Sequence, residues 1–214
     1  MNSDEANPSA STDKLHRAYH AKDSSETAEV YDDWAAEYEQ HMKNVGYTHP
    51  AMVASMAARH VAPTDEPVLD AGAGTGVLGE ILTALGYSNL SGLDASEGML
   101  KIAGLKKNYR ELSHQFLGQS LCYDDDYFAL VASSGVFTQG HAPLAGLDEL
   151  IRVTRPGGHL VFSVARTYLD GPFEQKRQQL ELAGLWHFVA ASERYNSAPL
   201  EDNLISQVYV FQVS

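Results

Sequence analysis

The sequence predicts an α/β domain built on a parallel sheet, and three observations carry that reading. From Pro67 onward short apolar runs alternate with helical stretches, and parallel strands need a connection long enough to return to the same edge. The run VLDAGAGTG at 68–76 takes a buried strand through a glycine-rich turn into a helix. At 214 residues and 44% hydrophobic side chains, the chain holds one well-buried core and is short for two ordinary domains.

Residues 1–12 are rich in Ser, Asn, Asp and Ala without apolar periodicity, and are expected to form a mobile tail ahead of a single domain over 13–214. Within 13–60, Leu15 and Tyr19, then Val30, Trp34 and Tyr38, recur at three- and four-residue intervals, which predicts an N-terminal helical segment. The sheet core is expected over 66–213. Its strands are PVLDA, LSGLD, a short HQFLG, YFALVAS and HLVFSVA, and helices are expected at 77–85, 97–105, 144–153 and 173–183. Gly86 is placed to end the first of these helices and Ser96 to cap the second, while Asp170 and Pro172 suit the start of the last. Arg155-Pro156-Gly157-Gly158 reads as a turn into the next strand. Two extended runs, 186–195 and 204–213, then predict an antiparallel hairpin that closes the sheet.

Composition narrows the function. Lys and Arg total 15 against 28 Asp and Glu, a formal charge of -13 that repels a phosphate backbone, so nucleic acid is not the expected partner. Lys101, Lys106, Lys107 and Arg110 fall at helical spacing and read as a solvated helix face. No apolar run approaches the roughly 20 residues that cross a bilayer, and the first residues carry neither a basic nor a hydrophobic leader. A cytoplasmic protein without a membrane partner is expected. With Cys122 alone, no disulfide framework is expected, and no metal site is read from the Cys and His spacing. Nothing in the pattern reports the oligomeric state.

The glycine-rich turn implies a nucleotide-like ligand, because main-chain N–H groups there are approachable without a Cβ in the way. Gly74-x-Gly76-x-x-Gly79, with Asp94 20 residues beyond Gly74, also satisfies the dinucleotide pattern, so an NAD-dependent oxidoreductase is one alternative. Asp70 favours a different ligand. At the end of the strand, a carboxylate attracts a cationic ammonium group and repels a pyrophosphate. Asp94, at the end of the second strand, suits ribose hydroxyls in either case. The terminal hairpin leaves no second nucleotide-binding half, and S-adenosylmethionine is therefore the expected cofactor.

VLDAGAGTG, GLDAS with Met99 after it, RVTRPGGHLVFS and the terminal hairpin together resemble the class I S-adenosylmethionine-dependent methyltransferases over about residues 28–213. VYDDWAAEYEQHM, LGQSL and GVFTQGHAP are similar, more narrowly, to the methyltransferase-like group named for the Williams-Beuren syndrome region. The resemblance implies a seven-stranded, doubly wound, Rossmann-like sheet with its last strand antiparallel, under an N-terminal helical lid. It implies that Asp70, Gly72, Ala73 and Gly74 hold the methionine portion of the cofactor and Asp94 the ribose. Ala95 and Met99 would line the adenine, with Gln119, Ser120 and Leu121 on its other side, and Ser133 and Ser134 would lie beside the sulfonium. Where this class often has an Asp at the start of the fourth strand, this chain has Phe128, with Asp124–Asp126 just upstream.

Tyr31, Trp34 and Tyr38 form a stripe that by pattern alone is a helix packing its apolar face. The resemblance adds a lid, in which the tyrosines offer hydroxyls to the methionine carboxylate and Trp34 shields the sulfonium. Tyr47 and His49 would belong to the same entrance. His141, after the fourth strand, is either a plain loop histidine or a group that accepts a proton from the nucleophile or bonds the substrate. Arg166, at the end of the fifth strand, suits either a substrate carboxylate or phosphate or a surface ion pair.

Methyl transfer from a sulfonium is an in-line displacement by a nucleophile, so orientation in a dry pocket supplies most of the catalysis. The fourth strand ends in SSGVF and lacks the Asp/Asn-Pro-Pro-Tyr/Phe tetrad of many enzymes that methylate nucleic-acid bases or glutamine amides. A small-molecule oxygen, nitrogen or sulfur nucleophile is the expected acceptor. A protein that binds S-adenosylmethionine without turnover is the remaining alternative.

Overall fold

A computed structural model of the chain describes residue 17 and residues 24–214, apart from 139, 170, 201 and 202. The expected tail over 1–12, the helical positions Leu15 and Tyr19, and the expected cap Asp170 lie outside the described residues.

Two helices come first, α1 (Ser24–Asn44) and α2 (His49–His60). Then follow β1 (Val68–Ala71), α3 (Val77–Ala84), β2 (Leu90–Asp94), α4 (Glu97–Lys106) and β3 (Glu111–His114). The second half runs β4 (Phe128–Phe137), α5 (Gly146–Val153), β5 (Thr154–Ala165), the short α6 (Arg166–Leu169), α7 (Pro172–Leu182), β6 (Trp186–Ala191), β7 (Tyr195–Asn196) and β8 (Ile205–Val213). The sheet order is β3-β2-β1-β4-β5-β8-β6, with the two-residue β7 paired to β8 beside that path. Strands β1 to β5 pair in parallel, and β8 runs antiparallel between β5 and β6. This is the expected doubly wound sheet with its last strand antiparallel, with β7 as a short addition.

Alternation along the strands builds two cores, because successive side chains point to opposite faces. Leu69, Val131, Phe162 and Phe211 pack with Leu147 and Leu150 of α5 and Phe173 of α7. Val68, Leu130, Val161 and Val210 pack on the other face with Val53 and Ala57 of α2 and Leu78 and Leu82 of α3. The helix ends follow their caps. Gly86 N–H donates to Thr83 O at 3.0 Å and Tyr87 N–H to Leu82 O at 3.1 Å, the paired bonds that terminate a helix on a glycine with positive φ. Ser96 Oγ accepts the Met99 N–H at 3.0 Å at the start of α4.

Two irregularities in β4 and β5 matter. Phe128 stands opposite Thr154 and Leu130 opposite His159, so Arg155–Gly158 is a bulge inside β5 where a turn was expected. Ser133 stands opposite Phe162 and Phe137 opposite Val164, so residues 134–136 of β4 bow out of the ladder at the end of the strand where the ligand site lies.

Candidate cofactor and acceptor site

The C-terminal ends of β1, β2 and β4, roofed by α1, enclose two adjoining chambers, at the place where open α/β sheets bind ligands. The smaller, about 120 Å³, is bordered by Gly72 and Gly74 of the turn, by Asp94, Ala95, Ser96 and Met99, and by Ser134 to Val136 of the β4 bulge. Gln115, Phe116 and Leu117 close one side, and Thr27, Ala28, Tyr31 and Tyr38 of α1 the top. The larger, about 410 Å³, takes Tyr47, His49, Thr138, Ser163, Arg166 and residues 203–206 into its wall. Tyr31, Tyr38, Tyr47, Gly135 and His141 border both.

The loop geometry follows from its hydrogen bonds. Gly72 and Ala73 both donate their N–H groups to Leu93 O at 2.9 Å, which folds the turn across β2. Gly74 N–H donates to Asp94 Oδ2 at 2.8 Å and Ser96 N–H to Asp94 Oδ1 at 2.9 Å. Each Asp94 oxygen is thus oriented by the backbone and keeps lone-pair capacity for a ligand. Burial pushes the Asp94 carboxyl up, while these N–H groups pull it down.

Asp70 lies fully buried beneath the turn and does not border the chamber. Its Oδ2 accepts the Tyr109 hydroxyl at 2.7 Å, and its Oδ1 has no hydrogen-bond partner. Burial first, then the neighbouring Asp94 charge, pushes this carboxyl up to about 7. A buried acid with an unpaired oxygen is suited to a cation above it and not to a pyrophosphate. The glycines agree with that. A Cβ on Gly74 would meet open space, whereas one on Gly76 would stand 3.1 Å from the Tyr109 ring and one on Gly79 2.2 Å from its hydroxyl. The second and third glycines of the dinucleotide pattern therefore make room for a tyrosine, and only Gly74 of the three faces the chamber.

The structure brings Gly72, Gly74, Asp94, Ala95, Met99, Ser134, Tyr31 and Tyr38 to the smaller chamber, and Tyr47, His49, His141 and Arg166 to the larger. Other expected residues are placed elsewhere. Trp34 is fully buried between Tyr31, stacked at 5.9 Å between ring centroids, and Tyr38, and it borders neither chamber. It makes the roof's own core with Met42 and Val45. Gln119 and Ser120 are exposed, and Leu121 turns into the core with its N–H on Glu149. The wall expected from them is supplied a few residues earlier, because β3 ends at His114 and the chain crosses the chamber immediately. Ser133 points into the sheet and donates to Ala71 O at 2.6 Å. Ala73 is buried in the turn. Asp125 pairs with Arg152 at 2.6 Å.

Several residues escaped the sequence reading. Thr27 Oγ1 donates to Gly140 O at 2.7 Å, and Tyr31 hydroxyl and His141 Nε2 share a hydrogen bond at 2.8 Å, so the roof is bound to the loop after β4. His49 Nδ1 and the Tyr195 hydroxyl share one at 2.6 Å, and burial lowers the His49 imidazole to about 3, which keeps it neutral. Gly135 has positive φ, and a Cβ there would stand 2.1 Å from the Tyr47 hydroxyl. A glycine between two serines and two bulky residues in SSGVF was the one available signal for it. Among the described residues, no group of three or more His, Cys, Asp or Glu is placed to hold a metal ion.

A methyltransferase-domain family model matches residues 69–162, from β1 into β5. The chain belongs to the class I S-adenosylmethionine-dependent methyltransferases, and S-adenosylmethionine is its cofactor. Within that class it is 31% identical to methyltransferase-like protein 27 of Homo sapiens over 186 residues, 83% of this chain and 75% of that protein. It is also 31% identical to a demethylmenaquinone methyltransferase of Clavibacter sepedonicus over 151 residues, 69% of this chain and 61% of that protein. Among solved structures, the cyclase SpnF has the same fold, with a TM-score of 0.67 at 15% identity over 90% of this chain and 97% of that one. No helix among the described residues is long and apolar enough to cross a membrane.

Proposed function

We propose that this methyltransferase acts on an oxygen, nitrogen or sulfur nucleophile of a small molecule that enters the larger chamber. The observation that carries the reading is the shared wall. A cofactor in one chamber and an acceptor in the other meet only between Tyr31, Tyr38, Tyr47, Gly135 and His141.

In this reading Asp94 accepts the ribose hydroxyls, Ala95 and Met99 pack on the adenine with Phe116 and Leu117, and the Asp70 charge favours the methionine ammonium through the Gly72–Gly74 turn. When bound, S-adenosylmethionine supplies a methyl group on a sulfonium, an electrophile that needs no further activation. The chain's own work is to align the nucleophile and exclude water. Tyr31 holds the His141 ring at the meeting point, where the imidazole takes the nucleophile's proton or bonds the acceptor. Neutral His49 adds a polar contact, and Arg166 binds an acceptor carboxylate or phosphate. The tyrosines and Phe137 of the larger chamber suit an aromatic ring. The Clavibacter relative is named for demethylmenaquinone, a quinone with an aromatic ring system, so aromatic compounds are the first acceptors to try. We take residues 13–214 to be one domain, roofed by its N-terminal helical segment and working in the cytoplasm.

The test follows S-adenosylhomocysteine release from the full chain with a panel of small aromatic and aliphatic acids, phenols, amines and thiols. One acceptor is expected to turn over, and Arg166→Ala should lower its kcat/KM about tenfold or more with S-adenosylmethionine affinity kept. Turnover of an oligonucleotide or a protein, with no small acceptor, overturns the reading.

A further inference from the structure

We infer that Asp32, on the solvent side of α1, is a positioning residue for the cofactor: it caps α4 from another helix and thereby sets the loop that orients Asp94. The first N–H groups of a helix have no partner inside it. At α4, Ser96 takes the Met99 N–H at 3.0 Å, and Asp32 Oδ1 takes the Gly98 N–H at 2.7 Å. The same Asp32 oxygen accepts the Ser96 hydroxyl at 2.5 Å. Ser96 in turn donates its N–H to Asp94 Oδ1 at 2.9 Å. One serine therefore stands between two carboxylates, with Asp32 outside the chamber and Asp94 at its wall.

Other attachments of α1 lie elsewhere. Thr27 and Tyr31 bind Gly140 and His141 after β4, and Glu39 pairs with Lys106 at 2.6 Å at the far end of α4. Position 98 is shaped to the contact. A Cβ there would stand 3.0 Å from both the Cα and Oδ1 of Asp32, so a side chain at 98 pushes α1 back from α4 at this contact by a few tenths of an ångström. Because both oxygens of Asp94 are oriented by the loop N–H groups of Gly74 and Ser96, a shift of the 94–99 segment moves the carboxylate that faces the ligand.

The test titrates the full chain with S-adenosylmethionine by calorimetry and records thermal unfolding of each ligand-free protein. Asp32→Ala and Gly98→Ala are expected to weaken S-adenosylmethionine about fivefold or more, and Asp32→Asn by less. Gly98→Ala separates positioning from helix stability, because alanine favours a helix over glycine. A role confined to stabilising α4 predicts unchanged or tighter binding in that variant. Val45→Ala, which loosens the roof's core at the end of α1 without touching the Gly72–Gly74 turn or the 94–99 loop, is expected to bind within twofold of the parent. Should Asp32→Ala be unfolded at the assay temperature, Asp32→Asn and Gly98→Ala decide the matter. Affinities of both within twofold of the parent overturn the inference, as does a loss in Val45→Ala equal to that in Gly98→Ala.

Discussion

Asp94→Asn preserves shape while removing a charge and an acceptor. In the native loop Oδ2 receives the Gly74 N–H at 2.8 Å and Oδ1 the Ser96 N–H at 2.9 Å. The amide has one oxygen, so one of these N–H groups then faces an NH2 group, and the ligand's ribose loses half of its acceptor. A hydrogen bond to a charged group contributes about 1.5–3 kcal/mol net. At about 1.4 kcal/mol per tenfold, S-adenosylmethionine should bind roughly ten- to a hundredfold more weakly. The orphaned loop N–H also costs the free protein about 1–3 kcal/mol, a fall of several degrees in Tm for a chain of this size. Calorimetry measures the first quantity, and a thermal melt the second. An Asp94→Asn protein that melts lower but binds S-adenosylmethionine within twofold of the parent would refute the assignment of this carboxylate to the ligand.

Three further outcomes follow from the buried groups. Asp70 is pushed up to about 7, and a cation above it favours its ionised form, so S-adenosylmethionine affinity should rise about fivefold from pH 6 to 7. That slope should vanish in Asp70→Asn. Stability has two opposing slopes. His49, lowered to about 3, makes the protein less stable as pH falls below its unfolded value of about 6.5, whereas Asp70 makes it less stable as pH rises from about 4 to 7. Between about pH 4.5 and 6.5 the two oppose each other at up to about 1.4 kcal/mol per pH unit each. Thermal melts should therefore show Asp70→Asn gaining Tm more steeply with pH than the parent does. Gly135→Ala places a methyl group against the Tyr47 hydroxyl at the junction of the chambers. Steady-state kinetics should show acceptor turnover falling tenfold or more, and unchanged turnover would mean that the junction is not where transfer occurs.

The order of strands and helices was legible because it depends on local rules: alternation in the strands, helical periodicity between them, and caps at Gly86 and Ser96. The glycine-rich turn and the acids at the ends of β1 and β2 were legible for the same reason, since turn chemistry and strand ends are written in neighbouring residues. Which residues face the ligand was not. Gln119 and Leu121 lie close in sequence to the chamber wall but turn away from it, and Trp34 shares a helical stripe with Tyr31 and Tyr38 yet packs between them. Tyr109 reaches Asp70 across 39 residues of chain, and Asp32 reaches Ser96 across 64. Contacts at such separation depend on how whole elements pack, on the bulge that pushes residues 134–136 out of β4, and on the position of α1 over α4. Local sequence determined the framework and the kind of ligand it holds, while tertiary packing decided which side chains line the two chambers and where the larger one opens, because burial and long-range contact exist only once the layers have come together.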